Sequence, residues 1–161
     1  MAGRKMLPHE PPSWIDPAQE IWFLTLVCQP RGRDHLTDPA VAAAVLDSVR
    51  WRHEHGHWYA HLFLLMPDHC HAVLSFGKDR ENWVKTVRHW KHWLAAQHGI
   101  SWQIDFFDHR LRNDESFEEK VRYVLENPVR AGLAAHWEQW PHRWSPPDAP
   151  PFTGFFTGLP R

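Results

Sequence analysis

The order of patterned segments predicts an α+β fold, a ferredoxin-like β-α-β-β-α-β antiparallel sheet with an additional C-terminal helix. Three observations predict it. Short apolar, β-prone runs alternate with stretches of helical periodicity along the 161 residues. Turn-forming residues (Gly56, Pro67-Asp68 and Gly99) fall between those stretches. A last helical pattern, Ser116 to Asn127, follows the fourth strand.

Residues 1–20 hold four prolines and little periodicity, and read as an irregular arm. Ile21 to Cys28 is short, apolar and suited to a buried strand. After a loop carrying Arg31 and Arg33, a helix starts near Thr37 or Asp38, with Pro39 in its first turn. Ala42, Val45, Leu46 and Val49 recur at helical spacing, and Gly56 ends the helix. His57 to Met66 and His69 to Phe76 are the second and third strands, with Pro67-Asp68 as their turn. On the third, His69, His71, Val73 and Ser75 face one way, and Cys70, Ala72, Leu74 and Phe76 the other.

A second helix covers about Glu81 to Gln97, with Trp83, Val87, Trp90 and Leu94 on one face. Trp102 to Leu111 is the fourth strand. The third helix opens at Glu115 or Ser116 and ends at Asn127, because the residue before Pro128 is disfavoured in the α region. Pro128 to Gly132 reads as a short helical turn. The domain is expected over 21–144, followed by a Pro/Gly-rich tail over 145–161 that is either disordered or pinned by its phenylalanines. Helices one and two cover one sheet face, leaving the His69/His71 face for helix three.

Composition narrows the class only partly. Two cysteines are too few for a disulfide framework and fit a reducing cytosolic setting. No apolar run approaches the ~18 residues of a membrane span, and the first residues do not read as a signal peptide. A net charge of -1 is low for a nucleic-acid binder. The 11 tryptophans offer faces for core packing or base stacking, and for Trp137, Trp140 and Trp144 core packing is the expected role.

Three histidine patterns compete as sites. His53-Glu54-His55-Gly56-His57 matches the H-E-x-x-H pattern of zinc proteases. That chemistry needs both histidines on one continuous helix, whereas Gly56 stands at the helix end and His57 begins a strand. His35-Leu36-Thr37 has no second copy, so a two-motif phosphoesterase fails by count. His69 and His71, at i and i+2 on a strand, leave one face ~6.6 Å apart along the backbone and can converge on one metal ion or phosphate. On helix three, Phe117, Val121, Val124 and Leu125 form an apolar face, while Ser116, Lys120, Tyr123 and Asn127 form a polar stripe. If the apolar face packs on the sheet, Tyr123 and Asn127 point together toward the histidines.

Three segments resemble one family. Met66-Pro67-Asp68-His69-Cys70-His71 is similar to the M-P-(N/D/E)-H-x-H strand of the HUH-type single-tyrosine transposases, in their REP-associated tyrosine transposase branch. Phe107-Asp108-His109-Arg110-Leu111-Arg112 and the stretch Val121 to Leu133 resemble that branch too, the latter its Y-I-x-x-N-P-V-(K/R)-x-G-L motif. The resemblance spans about Trp22 to Trp144, and Cys70 replaces the hydrophobic residue usual between the histidines.

The resemblance implies a metal-dependent single-stranded DNA endonuclease and strand transferase acting on hairpins of repetitive extragenic palindromes. His69, His71 and Asn127 would hold Mg²⁺ or Mn²⁺, and Tyr123 would be the nucleophile, forming a phosphotyrosine. Metal proximity and Lys120 would help Tyr123 ionise. Arg31, Arg33, Lys85, Arg88, His92, Arg110, Arg112 and Arg130 would contact phosphates. The expected state is a monomer with a dimer left open, in a cytoplasmic, nucleoid-associated setting away from membranes. The alternative is a catalytically silent DNA-hairpin binding module of the same fold.

Overall fold

Alternation along the first apolar run sends Phe23 and Thr25 to one side of the sheet and Leu24 and Leu26 to the other. The computed structural model describes residues 20–32, 34–77, 82–111 and 114–156. Within them the elements are β1 (Ile21–Val27), α1 (Pro39–Glu54), β2 (Tyr59–Leu65), β3 (His69–Ser75), α2 (Trp83–His98), β4 (Phe107–Leu111), α3 (Asp114–Leu125), α4 (Asn127–Arg130) and β5 (Arg143–Trp144). The strand order is β4-β1-β3-β2-β5, with every neighbouring pair antiparallel. The first four strands and two helices reproduce the β-α-β-β-α-β order read from the sequence.

Local chemistry sets the helix ends. The Asp38 carboxylate accepts from Val41 N–H, covering a donor that the first turn of α1 leaves unpaired. Gly56 (φ 77°) turns the chain from α1 toward β2, and Gly99 (φ 66°) closes α2 in the left-handed conformation that favours glycine.

Two cores lie on opposite sheet faces. Leu24, Leu26, Cys70, Ala72 and Leu74 pack under α1 and α2 against Val45, Val49, Trp90 and Leu94. Phe23, Leu62, Leu64 and Val73 pack under α3 against Phe117, Val121, Val124 and Leu125. The apolar face read for the third helix is therefore its buried face, and that helix covers the sheet face carrying the histidines.

Several boundaries differ from the sequence reading, each for a local reason. Asn127 does not end the third helix; α3 stops at Leu125, and Asn127 opens α4. Pro128 is accommodated there because a first-turn residue needs no N–H donor. The fourth strand begins at Phe107, not Trp102. The Lys91 ammonium takes the Gln103 and Ile104 carbonyls at 2.8 and 3.2 Å, and Trp102 makes one isolated bridge to Cys28. The two-residue β5, unread in the sequence, adds Arg143 and Trp144 to the free edge of β2. The tail is pinned, at least as far as residue 156: Phe152 and Phe155 are buried in the α3-side core. Residues 1–19 of the N-terminal arm and 157–161 of the tail lie outside the described residues. Among the described residues no helix is long and apolar enough to cross a membrane.

Candidate active site

The β1–β3 register places Thr25 opposite His71 and Val27 opposite His69, on the face that α3 covers. The two imidazoles stand nearly perpendicular, with ring centroids 5.0 Å apart. Each engages a neighbour through Nδ1. Asp68 Oδ1 lies 2.8 Å from His69 Nδ1, and Thr25 Oγ1 lies 3.0 Å from His71 Nδ1.

Asp68 is held ionised. Burial alone would raise its carboxyl, but hydrogen bonds from His69 and the Gly32 N–H, with the Arg31 guanidinium, draw it down to about 2. A carboxylate only accepts, so His69 Nδ1 donates in this hydrogen bond and Nε2 is the ring nitrogen left to face a ligand. Thr25 can accept from His71 Nδ1 in the same way. Burial pushes His71 down to about 3, with His69, Arg130 and Lys120 adding positive charge in the same sense. Its imidazole is thus neutral, the form that binds metal.

Helix α3 brings Tyr123 over this pair. Its ring meets Phe23 edge-on at 6.5 Å and His71 at 6.3 Å between centroids. Phe23 stacks on His71 at 5.4 Å, so one aromatic side chain supports both. Lys120 Nζ lies 4.9 Å from the Phe23 ring centroid and 5.6 Å from that of Tyr123. The Arg130 guanidinium carbon is 4.2 Å from the Tyr123 centroid, and its Nη2 donates to the Tyr123 carbonyl at 2.6 Å. That carbonyl lies near the end of α3, where the backbone donors run out. The chain has two tyrosines. Tyr59 is 2% exposed, with its phenol pushed up to about 12 chiefly by burial, whereas Tyr123 is 49% exposed.

The residues fit a divalent ion in part. Two imidazoles, each with Nδ1 engaged, present Nε2 atoms from one strand, as metal-binding histidines do. Among the described residues no group of three or more His, Cys, Asp or Glu side chains stands together as a metal cluster. A third donor must therefore be of another kind. Asn127, half-buried at the start of α4 and four residues after Tyr123, carries an amide oxygen.

The phosphate-contact candidates separate by face. Arg31 joins the site through its 3.0 Å ion pair with Asp68, and Arg130 joins it through Tyr123. Lys85, Arg88 and His92 belong to α2, across the sheet from Tyr123. There Arg88 and His92 border a hollow of about 460 Å³, and Lys85 borders another of about 270 Å³ with Arg52, His57 and His89. Arg110 pairs with Glu20 at 2.7 Å on β4. Arg33 and Arg112 lie outside the described residues.

Sequence reading missed Thr25 and the tie from Asp68 to His69. Thr25 had a faint signal, as the one hydroxyl within an otherwise apolar strand. Asp68 was legible as a turn residue and as part of the M-P-D-H-x-H motif, not as the partner of His69. The zinc-protease pattern is absent as a geometry: His53 sits in the last turn of α1, and His57 lies beyond its end.

No family model matches the chain. It is 23% identical over 139 residues to a candidate REP-associated tyrosine transposase of Haemophilus influenzae, covering 76% of this chain and 77% of that protein. It is 25% identical over 81 residues to a REP-associated tyrosine transposase of Escherichia coli, covering 49% of each. A solved structure of a REP-associated tyrosine transposase bound to a REP hairpin superposes with a TM-score of 0.61 at 20% identity, over 78% of this chain and 76% of that one. This last likeness is one of fold.

Proposed function

The chain is related to the REP-associated tyrosine transposases, and we propose from that premise that it cleaves and rejoins single-stranded hairpin DNA through a phosphotyrosine. The observation that carries the reading is the approach of Tyr123 to His71, 6.3 Å between ring centroids, from two elements distant in sequence. His69 and His71, with Asn127 as third donor, would hold Mg²⁺ or Mn²⁺. Bound there, the ion offsets the negative charge by which a phosphodiester repels nucleophiles.

The protein's own groups do the rest. Tyr123 Oη attacks phosphorus in line, forming the phosphotyrosine as the P–O3′ bond breaks. The phenolic proton passes to solvent, and the departing 3′-oxygen takes one up. The covalent link conserves the phosphodiester energy, so a 3′-hydroxyl can reverse the step without ATP. Lys120 and Arg130 keep positive charge beside the phenol, where it meets the incoming phosphate. Phe23 holds the Tyr123 and His71 rings in fixed relation. The protein acts as a monomer on hairpins of repetitive extragenic palindromes.

The test is incubation of the protein with an end-labelled single-stranded REP-type hairpin and Mn²⁺, followed by denaturing electrophoresis. An SDS-resistant adduct that chelator abolishes is expected. Hairpin binding with no adduct in any divalent metal would contradict catalysis and favour a silent binding module. Undiminished cleavage in chelator would remove the role given to the histidines.

A further inference from the structure

Beside the tyrosine and histidines, the sheet face they share continues onto β4, where Phe107 is 61% exposed. Two neighbours fix which way this side chain leaves the strand. Phe106 packs against the α1/α2-side core, 5.9 Å from Trp83 between ring centroids, and Leu111 is buried in the α3-side core. Alternation then sends Phe107, His109 and Leu111 to the Tyr123 face.

The register completes the placement. Phe107 stands opposite Thr25, and Thr25 stands opposite His71. The three form one row across β4, β1 and β3, so Phe107 lies two strand spacings, about 10 Å, from the His71 backbone. Helix α3 covers the part of this face around Phe23, Val73 and Leu111, and leaves Phe107 open. The row is also rigid. Lys91 ties down the carbonyls of Gln103 and Ile104 just before β4, and five consecutive β4 residues pair with β1.

Charge on this face suits a polyanion. The side chains that β1, β3 and β4 direct to it are aliphatic, aromatic, hydroxyl or imidazole, with no carboxylate among them. Asp108 and Arg110 leave β4 on the other side. A nucleic-acid strand whose phosphate sits between Tyr123 and His71 would therefore pass over Phe107 without meeting a carboxylate of these three strands. An exposed aromatic ring at a fixed distance from a phosphate site is the arrangement that stacks single-stranded bases.

We infer that Phe107 is the stacking platform for one nucleobase of the strand that Tyr123 attacks, setting which phosphodiester reaches the tyrosine. This rests on the strand-cleaving function proposed above. Phe107 then touches substrate and acts in binding and register, while Tyr123 carries the chemistry.

The experiment uses the full chain with Tyr123→Phe, which binds without cleaving, and a REP-type hairpin bearing 2-aminopurine at successive positions of its single-stranded flank. Fluorescence should be quenched on binding at one position. Phe107→Ala and Phe107→Leu should abolish that quenching and weaken binding about tenfold or more, while Phe107→Trp restores both. An abasic nucleotide at that position alone should cost the Phe107 protein its advantage over Phe107→Ala. Circular dichroism and the unfolding midpoint confirm that the variants fold, and Phe107→Leu retains strand-compatible bulk if alanine does not. Equal binding by Phe107, Phe107→Ala and Phe107→Leu, or an equal abasic effect at every position, overturns the inference. Absence of any hairpin binding by the Tyr123→Phe protein would instead overturn the proposed function, and this inference with it. Normal adducts from an intact site combined with indifference to Phe107 would overturn the inference alone.

Discussion

Arg130 stands over the Tyr123 ring, its guanidinium carbon 4.2 Å from the centroid, and donates to the same residue's carbonyl through Nη2. One side chain thus orients the tyrosine from the ring and from the backbone. A lysine can offer charge but not the planar fork that makes both contacts. Arg130→Lys and Arg130→Ala should both slow adduct formation roughly tenfold, with the unfolding midpoint little changed. Full activity in Arg130→Lys would show that charge alone suffices.

The Thr25–His71 hydrogen bond fixes an imidazole from the neighbouring strand. Thr25→Val keeps the branched shape and removes the oxygen. Metal affinity, read by titration calorimetry with Mn²⁺, should fall about 10- to 100-fold, as loss of such a supporting partner typically costs. Hairpin binding in chelator should be unchanged, which separates this effect from a general loss of fold.

His53, drawn in the sequence as part of a protease-like pattern, serves the fold. Its Nδ1 accepts from Ala60 N–H at 3.1 Å, joining the end of α1 to the start of β2. Burial lowers it beneath the ordinary 6.5, against smaller raising effects from Asp148 and Glu54. His71 and His142 are also lowered, chiefly by burial. The unfolded chain takes up protons on these residues first, so their contribution to stability is complete above about pH 6.5 and declines as pH falls below it. In chelator, the unfolding midpoint should drop from pH 7.5 toward pH 5.5. His53→Gln should show a shallower drop, and an identical pH slope would count against this role.

Lys91 is 7% exposed and satisfies two carbonyls just ahead of β4. Lys91→Met preserves the stem but leaves those carbonyls without their donor. A loss of roughly 1–3 kcal/mol in chemical denaturation is expected, with faster amide exchange along β4. Stability equal to the parent would mean that water replaces the ammonium at no cost.

Much of the fold was legible because its strands are sorted by alternation. Cys70, Ala72 and Leu74 face one core while His71 and Val73 face the other, and the period-two pattern carries that assignment directly. The third helix was legible for the same reason, through Phe117, Val121, Val124 and Leu125. Its junction with Pro128 was not, because a proline forbids helical continuation only when its N–H is required, and at the start of α4 it is not. The pairing of Arg143 and Trp144 with β2 leaves no periodicity in two residues. The extra residue His61, which shifts the β2–β3 register between Ala60 and Leu62, is likewise visible only in the paired strands. Of the site, Tyr123 and the two histidines were legible as motifs, while the roles of Thr25 and Phe107 come from cross-strand neighbours and that of Asp68 from a side-chain hydrogen bond that spacing does not show.

The central claim is that Tyr123 is the nucleophile. Tryptic cleavage after Arg122 and Arg130 places it on one peptide, apart from Tyr59, the other tyrosine. Mass spectrometry of the nuclease-trimmed adduct should find the nucleotide remnant on Tyr123, with no adduct from Tyr123→Phe. A remnant on any other residue, or an adduct that persists in Tyr123→Phe, would contradict the account.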